Sequence, residues 1–333
     1  MKLDVRRRLD PEALAALAET DRLQAEFGSV PLGDVAAMRA AYAFERRFWN
    51  APPVAMAGVE ERAVDAAGIA TPLRIHRPGT EPPGAFLFYL HGGGWVVGSL
   101  DTHDRIMRLL ARESGLPVVG VDYALAPETR FPTQIAQIAA VVRAVVGAGP
   151  LAGLPFALGG DSAGAHLALA VTAELARSGG PVPFALLLYY GVYGLSDSAA
   201  RRLWGNATDG LTAERMRFYE ASYLPAPEAA RDPRFDLLSS DLSATPPAFV
   251  LAVTMDPLHD DSLVLATLLE ELGREVVFRR VDGVLHGFLH LSRMVPKAME
   301  AIVEGAAFLR RRRPMFTGVN PVQNMNDDDR TGE

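Results

Sequence analysis

Phe156-Ala157-Leu158-Gly159-Gly160-Asp161-Ser162-Ala163-Gly164-Ala165-His166 decides how the rest of this 333-residue chain is read. An apolar, strand-like run ends in Gly-Asp-Ser-Ala-Gly, and a helix-like run, Ala165 to Arg177, follows at once. Gly160 and Gly164 flank Ser162 in the G-x-S-x-G pattern, a turn so tight that only hydrogen fits beside the serine at two positions. Such a turn holds the serine in strained backbone and presents its hydroxyl at a helix N-terminus, as a nucleophile requires. In a chain with 30 glycines the pattern alone arises by chance; the strand-turn-helix context gives it weight.

The alternation extends on both sides of that turn. Upstream, Ala85–Leu90 is a continuous apolar run, as in a strand buried on both faces. Helical spacing at 102–114, a strand at 118–121 and a helix at 132–146 lead to Phe156. Downstream, 185–190, 248–254, 262–272, 276–281 and 297–311 read as strand, strand, helix, strand, helix. Two further β-like stretches, 59–65 and 73–76, precede this series, and helices are predicted at 11–27 and 35–49. Strands alternating with helices predict an α/β fold with a mostly parallel sheet covered on both faces.

Residues 191–247 break the rhythm, with no strand signal, one clear helix at 212–223 and many Pro, Asp and Arg. An insertion between two sheet strands is expected over their carboxyl edge, where ligands bind. The predicted organisation is therefore a core of 51–190 and 248–313, with 191–247 as a cap joined by the helices of 1–50. The tail, 314–333, has almost nothing to bury and is expected to be disordered.

Composition narrows the function classes. Hydrophobic residues make up 49% and charged residues 22%, with a formal charge of −7 spread without long single-sign runs. That balance argues against a nucleic-acid surface and against a polybasic membrane patch. The absence of cysteine excludes disulfides, thiolate catalysis and cysteine metal sites. The charged start, 1–10, carries no secretory pattern, and no apolar run is long enough to span a bilayer, so the cytoplasm is the expected compartment.

A nucleophilic serine needs a base, a carboxylate to orient it and donors for an oxyanion. Of seven histidines, His286 follows a strand within Asp282-Gly283-Val284-Leu285-His286-Gly287, at the carboxyl edge where an imidazole can reach across. His166, one turn beyond Ser162, reads as a packing residue. His290, four after His286, lacks the glutamate of a zinc H-E-x-x-H motif, and no metal is expected. Asp256 directly follows the 248–254 strand; Asp260 and Asp261, at the next helix start, read as caps. The order Ser, Asp, His is that of the G-x-S-x-G folds. His91-Gly92-Gly93-Gly94-Trp95 follows the 85–90 strand, and its glycine amides, with that of Ala163, could converge on a developing oxyanion. No Gly-Lys-Ser/Thr follows them, so they form no P-loop.

Leu90-His91-Gly92-Gly93-Gly94, Asp122 to Glu128, Gly160 to Gly164, Asp256-Pro257-Leu258 and His286-Gly287-Phe288 together resemble the hormone-sensitive-lipase family of α/β-hydrolases. Leu100 to Leu110, Tyr193-Gly194-Leu195 and Phe288-Leu289-His290 are similar to its bacterial acetyl esterases. The resemblance spans about 50–310. It implies Ser162 as nucleophile, Asp256 as orienter, His286 as base, and Gly93, Gly94 and Ala163 as oxyanion donors. It also implies short-chain acyl esters, acetyl to about hexanoyl, as small-molecule substrates, with no metal or organic cofactor. Glu128 would shape the loop near the site. Ala124 stands where relatives carry arginine, so that contact is absent or supplied elsewhere. Trp95, Tyr189, Tyr193 and Phe218 would wall a small acyl pocket or simply pack the lid. The same triad would equally serve an amidase, carbamate hydrolase or lactone hydrolase, and a silent binding module on this fold is the rival from another class. A homodimer is the protein assembly left open.

Overall fold

A computed structural model describes residues 2–81 and 83–314. The expected disordered tail lies, from 315 onward, outside the described residues. Strands β1 (Gly58–Ala66), β2 (Ile69–Arg77), β3 (Phe86–Leu90), β4 (Val118–Val121), β5 (Phe156–Asp161), β6 (Leu186–Tyr189), β7 (Ala248–Val253) and β8 (Val276–Val281) form a sheet in the order β1-β2-β4-β3-β5-β6-β7-β8. β1–β2 and β2–β4 pair antiparallel; every other neighbouring pair is parallel.

The central strands β3, β4, β5, β6 and β7 are buried at every position, which is why they read as unbroken apolar runs. Within β3, Phe86, Phe88 and Leu90 face one layer, while Leu87 and Tyr89 face the other. Helices α4 (Thr133–Gly147), α5 (Ala163–Arg177) and α8 (His259–Glu271) pack on the first face. α3 (Asp104–Ser114) and α9 (Pro296–Arg312) pack on the second. Buried apolar area on this scale contributes roughly 25 cal/mol per Å² and is the main force holding the layers together.

α1 (Pro11–Phe27) and α2 (Val35–Asn50) fall where helical spacing predicts them. β2 starts well before 73. Pro72 masks its pattern, and the β1–β2 hairpin turns on Ala67 and Gly68, both at positive φ (57° and 79°). The 191–247 insertion holds more helix than expected: α6 (Ala199–Leu203), α7 (Ala213–Tyr223) and 3-10 turns at Pro227–Arg231 and Leu237–Ser239.

Asp260 and Asp261 do not cap α8. Asp260 accepts the Ala200 amide (2.8 Å), and buried Asp261 accepts those of Tyr193, Gly194 and Leu195 (2.8, 3.2 and 3.2 Å) while pairing with Arg201 at 3.3 Å. The acids at the helix start therefore anchor the insertion to the core.

Candidate active site

Ser162 leaves β5 at φ +54°, ψ −120° and starts α5, its amide bonded to the Tyr189 carbonyl at 2.9 Å. The flanking glycines are sterically required. A methyl group on Gly160 would stand 2.6 Å from the Gly164 carbonyl carbon, and one on Gly164 would collide with the Leu90 carbonyl. Close approach of the end of β3 to both the end of β5 and the start of α5 thus explains both glycines of the motif.

The Ser162 hydroxyl donates to His286 Nε2 at 2.9 Å, and His286 Nδ1 donates to Asp256 Oδ2 at 2.6 Å. Asp256 is fully buried after β7, and its second oxygen accepts the Leu258 amide at 2.8 Å. The three sequence candidates, 124 and 30 positions apart in the chain, meet at the carboxyl edge of β5, β7 and β8. Burial alone would lower the His286 imidazole; the Asp256 charge and hydrogen bond outweigh it and raise the group above its ordinary value of 6.5. An imidazole so held can take a proton from the serine and stabilise the resulting charge.

The glycine loop after β3 lies beside the serine. Gly93 (φ +120°) and Gly94 (φ +59°) adopt backbone that favours glycine. Among the described residues no protein acceptor pairs with the amides of Gly93, Gly94 or Ala163. His91 braces the loop from within: Nδ1 bonds the Gly92 carbonyl (2.8 Å), the ring stacks on Tyr123 (4.4 Å), and the Tyr123 hydroxyl donates to the His91 carbonyl (2.7 Å). Burial pushes that imidazole down to about 3, so it stays neutral. Asp161, the residue before the serine, accepts from Tyr89 (2.9 Å) and from the Gly92 amide (3.1 Å), tying loop to strand.

Glu128 takes a two-pronged contact from Arg39 of α2 (2.8 and 2.7 Å), and Arg39 also donates to the carbonyls of Val96 and Ala126 (2.9 and 3.0 Å). Arg39 thus brings a guanidinium from α2 to the loop that carries Glu128. Sequence reasoning missed Arg39, because nothing local to α2 signals a contact 89 residues away.

A cavity of about 270 Å³ opens over Ser162, lined by His286, Gly93, Gly94 and Ala163 together with residues of α1, α2 and 207–220. Of the four aromatic candidates, only Trp95 lines it, stacked on Tyr223 at 4.5 Å. Tyr189, Tyr193 and Phe218 do not. Strand alternation turns the Tyr189 ring toward Phe249 and Gly305, under α9. The Tyr193 amide is held by Asp261, which leaves its ring in the core against Gly191. Phe218 sits about 100° around α7 from the cavity-lining Tyr219 and packs toward Gly33. The missed lining residues Tyr42, Glu45 and Arg46 lie on α2 and Tyr219 on α7, helices whose cavity face no local motif marks.

His290 meets His103 (ring centroids 4.5 Å) and Asp161 instead of pairing with His286, and its Nε2 lies 3.3 Å from the Tyr42 hydroxyl. Burial and the nearby Arg46 charge hold it well below its ordinary value. The ligand atoms of His103, Asp161 and His290 fall within 4.8 Å of one another, but Asp161 Oδ1 is already engaged by Tyr89 and Gly92. Asp161 and His290 also line the cavity beside Ser162.

Comparison with known proteins bears on the fold and the class of reaction. Residues 87–290 match a family model described as an alpha/beta hydrolase fold. The acetyl esterase of Salmonella typhi is 41% identical over 294 residues, covering 84% of this chain and 88% of its own. A hyperthermophilic esterase from the archaeon Pyrobaculum calidifontis superposes with a TM-score of 0.86 at 29% identity, covering 91% of this chain and 98% of its own. A thermostable carboxylesterase cloned from a metagenomic library gives 0.81 at 31% identity, covering 85% and 98%. Among the described residues no helix is long and apolar enough to cross a membrane. With the G-x-S-x-G turn, the glycine loop and these relatives in agreement, the chain belongs to the hormone-sensitive-lipase family of α/β-hydrolases and is a carboxylic ester hydrolase.

Proposed function

We propose that the enzyme hydrolyses short-chain acyl esters, acetyl to about hexanoyl, through an acyl-enzyme on Ser162. His286 removes the Ser162 proton as the oxygen attacks the ester carbonyl, and Asp256 stabilises the imidazolium. The amides of Gly93, Gly94 and Ala163 receive the tetrahedral oxyanion, each donor contributing roughly 3 to 4 kcal/mol to transition-state stabilisation. His286 then protonates the leaving alkoxide, the C–O bond breaks, and water repeats the sequence to release the acid. No metal or organic cofactor enters these steps.

The observation that carries the reading is the continuous hydrogen-bonded line from Ser162 Oγ through His286 to Asp256, at 2.9 and 2.6 Å. The acyl length is supported by the cavity: at about 270 Å³ it lies just under the ordinary range for ligand pockets, roughly 300 Å³ and upward. The acetyl esterase relatives point the same way. The test is p-nitrophenyl acetate turnover combined with an aryl phosphonate, which should transfer its phosphonyl group to the Ser162 peptide with release of the aryloxide and stop turnover. Absence of turnover, or full activity in Ser162→Ala, sinks the proposal.

A further inference from the structure

Beside the catalytic cavity lies a second one, of about 450 Å³. It runs between the end of α1 and α2, lined on its far side by apolar Leu23, Val30, Met38 and Ala41. Gln24, Tyr42, Glu45, Val97, Arg215 and Tyr219 border both cavities and so form the wall between them.

The wall has two unlike parts. On the α1–α2 side, Gln24 donates to Glu45 (3.2 Å), Arg46 donates to Glu45 (2.6 Å), and the Arg46 guanidinium lies over the Tyr42 ring at 4.5 Å. Those side chains are held by one another. Tyr219 reaches in from α7, its ring pressed on Gly94 so closely that a methyl group there would collide with it. Its hydroxyl has no protein hydrogen-bond partner among the described residues, so the ring acts as a filler. Resting on the glycine loop, it closes the cavity next to the proposed oxyanion site.

We propose that Tyr219 is the partition that sets the acyl-length limit, and that the α1–α2 cleft is an acyl-chain compartment which this ring keeps shut. The inference rests on the esterase reading above. The side of the ester follows from proton delivery: the leaving alcohol must lie near His286, and residues 284–288 line only the first cavity. A chain directed past Gly94 and Val97, toward the second cleft, is therefore the acyl chain.

The test is a p-nitrophenyl ester series from acetate to decanoate, with the alcohol held constant and kcat/KM measured on the full chain. Tyr219→Ala should raise the decanoate-to-acetate ratio of kcat/KM roughly ten- to hundredfold, the scale of discrimination by small changes in an apolar pocket. A ratio cancels any general loss caused by loosening the loop over Gly94. Tyr219→Phe keeps the ring and should keep the wild-type ratio. Adding Ala41→Phe to Tyr219→Ala refills the cleft and should return the ratio toward wild type. If Tyr219→Ala does not fold, Tyr219→Leu gives a smaller opening with the same expected sign. An unchanged ratio with acetate turnover intact overturns the partition alone, as does a gain that Ala41→Phe leaves undiminished. No turnover of any ester by the wild type overturns the esterase reading with it.

Discussion

The carboxyl edge of the sheet and the helices that cover it are built on different principles. At the edge, the candidate residues sit within a few positions of a strand end, and close approach locks the backbone around Ser162. Ser162 is strained at φ +54°, Gly160 and Gly164 admit no side chain, and Asp256 is fully buried. Over it, α1, α2 and α7 carry half-exposed, polar side chains that meet only through long-range packing, such as Arg39 on Glu128 or Tyr219 on Gly94. The contrast teaches that reaction type and substrate choice are stored separately. On the reading proposed above, chemistry resides in short strings welded to the sheet, and selectivity in the side chains of the helices that cover it.

Substitutions at the edge should be costly and act on rate. Ser162→Ala should lower kcat for p-nitrophenyl acetate by about a millionfold, and His286→Ala by a similar factor, with the double variant no worse than either, because the pair acts as a unit. An additive double variant would break the picture of one locked device. Asp256→Asn should lower kcat by about ten thousandfold. It should also shift the pH profile. The base works only when neutral, so kcat/KM falls as pH drops through the His286 value, which lies above 6.5 because Asp256 holds it up. With that charge removed, burial dominates and the acidic limb should move to lower pH; a profile that moves upward would contradict the assignment.

Gly164→Ala tests the lock itself. Its methyl group would drive the end of β3 away from the start of α5, costing about 3 kcal/mol by urea midpoint, with activity falling alongside because Leu90 leads into the glycine loop. An unaffected midpoint would mean that the turn is softer than its contacts indicate. Arg39→Ala, where a covering helix grips the edge, should be mildest. The ion pair is partly exposed, so the loss is about 1 kcal/mol, mainly from the bonds to the Val96 and Ala126 carbonyls. A larger loss of kcat than of stability would show that α2 positions the loop.

Most of the sheet and the three residues of the line were legible because their signals are local. A strand buried on both faces reads as an apolar run, and a G-x-S-x-G turn declares its own backbone. β2 was cut short because Pro72 breaks the strand pattern inside a paired strand. Asp260 and Asp261 were misread as caps because acids at a helix start commonly are, and only the fold shows the insertion amides waiting for them. The choice between walling the pocket and packing elsewhere stayed open for Tyr189, Tyr193 and Phe218 for a related reason: aromatic character does not say which surface a ring packs against.

By itself the sequence determined the layered α/β architecture, the strained serine and the strand-end places of its partners, since periodicity and steric demand act over a few residues. Only the tertiary structure decided that Arg39 would serve the loop, that His290 would join His103 and Asp161, and that Tyr219 would stand between two cavities. Those outcomes depend on how whole helices pack, a balance of many weak contacts between distant residues that no short stretch of sequence encodes.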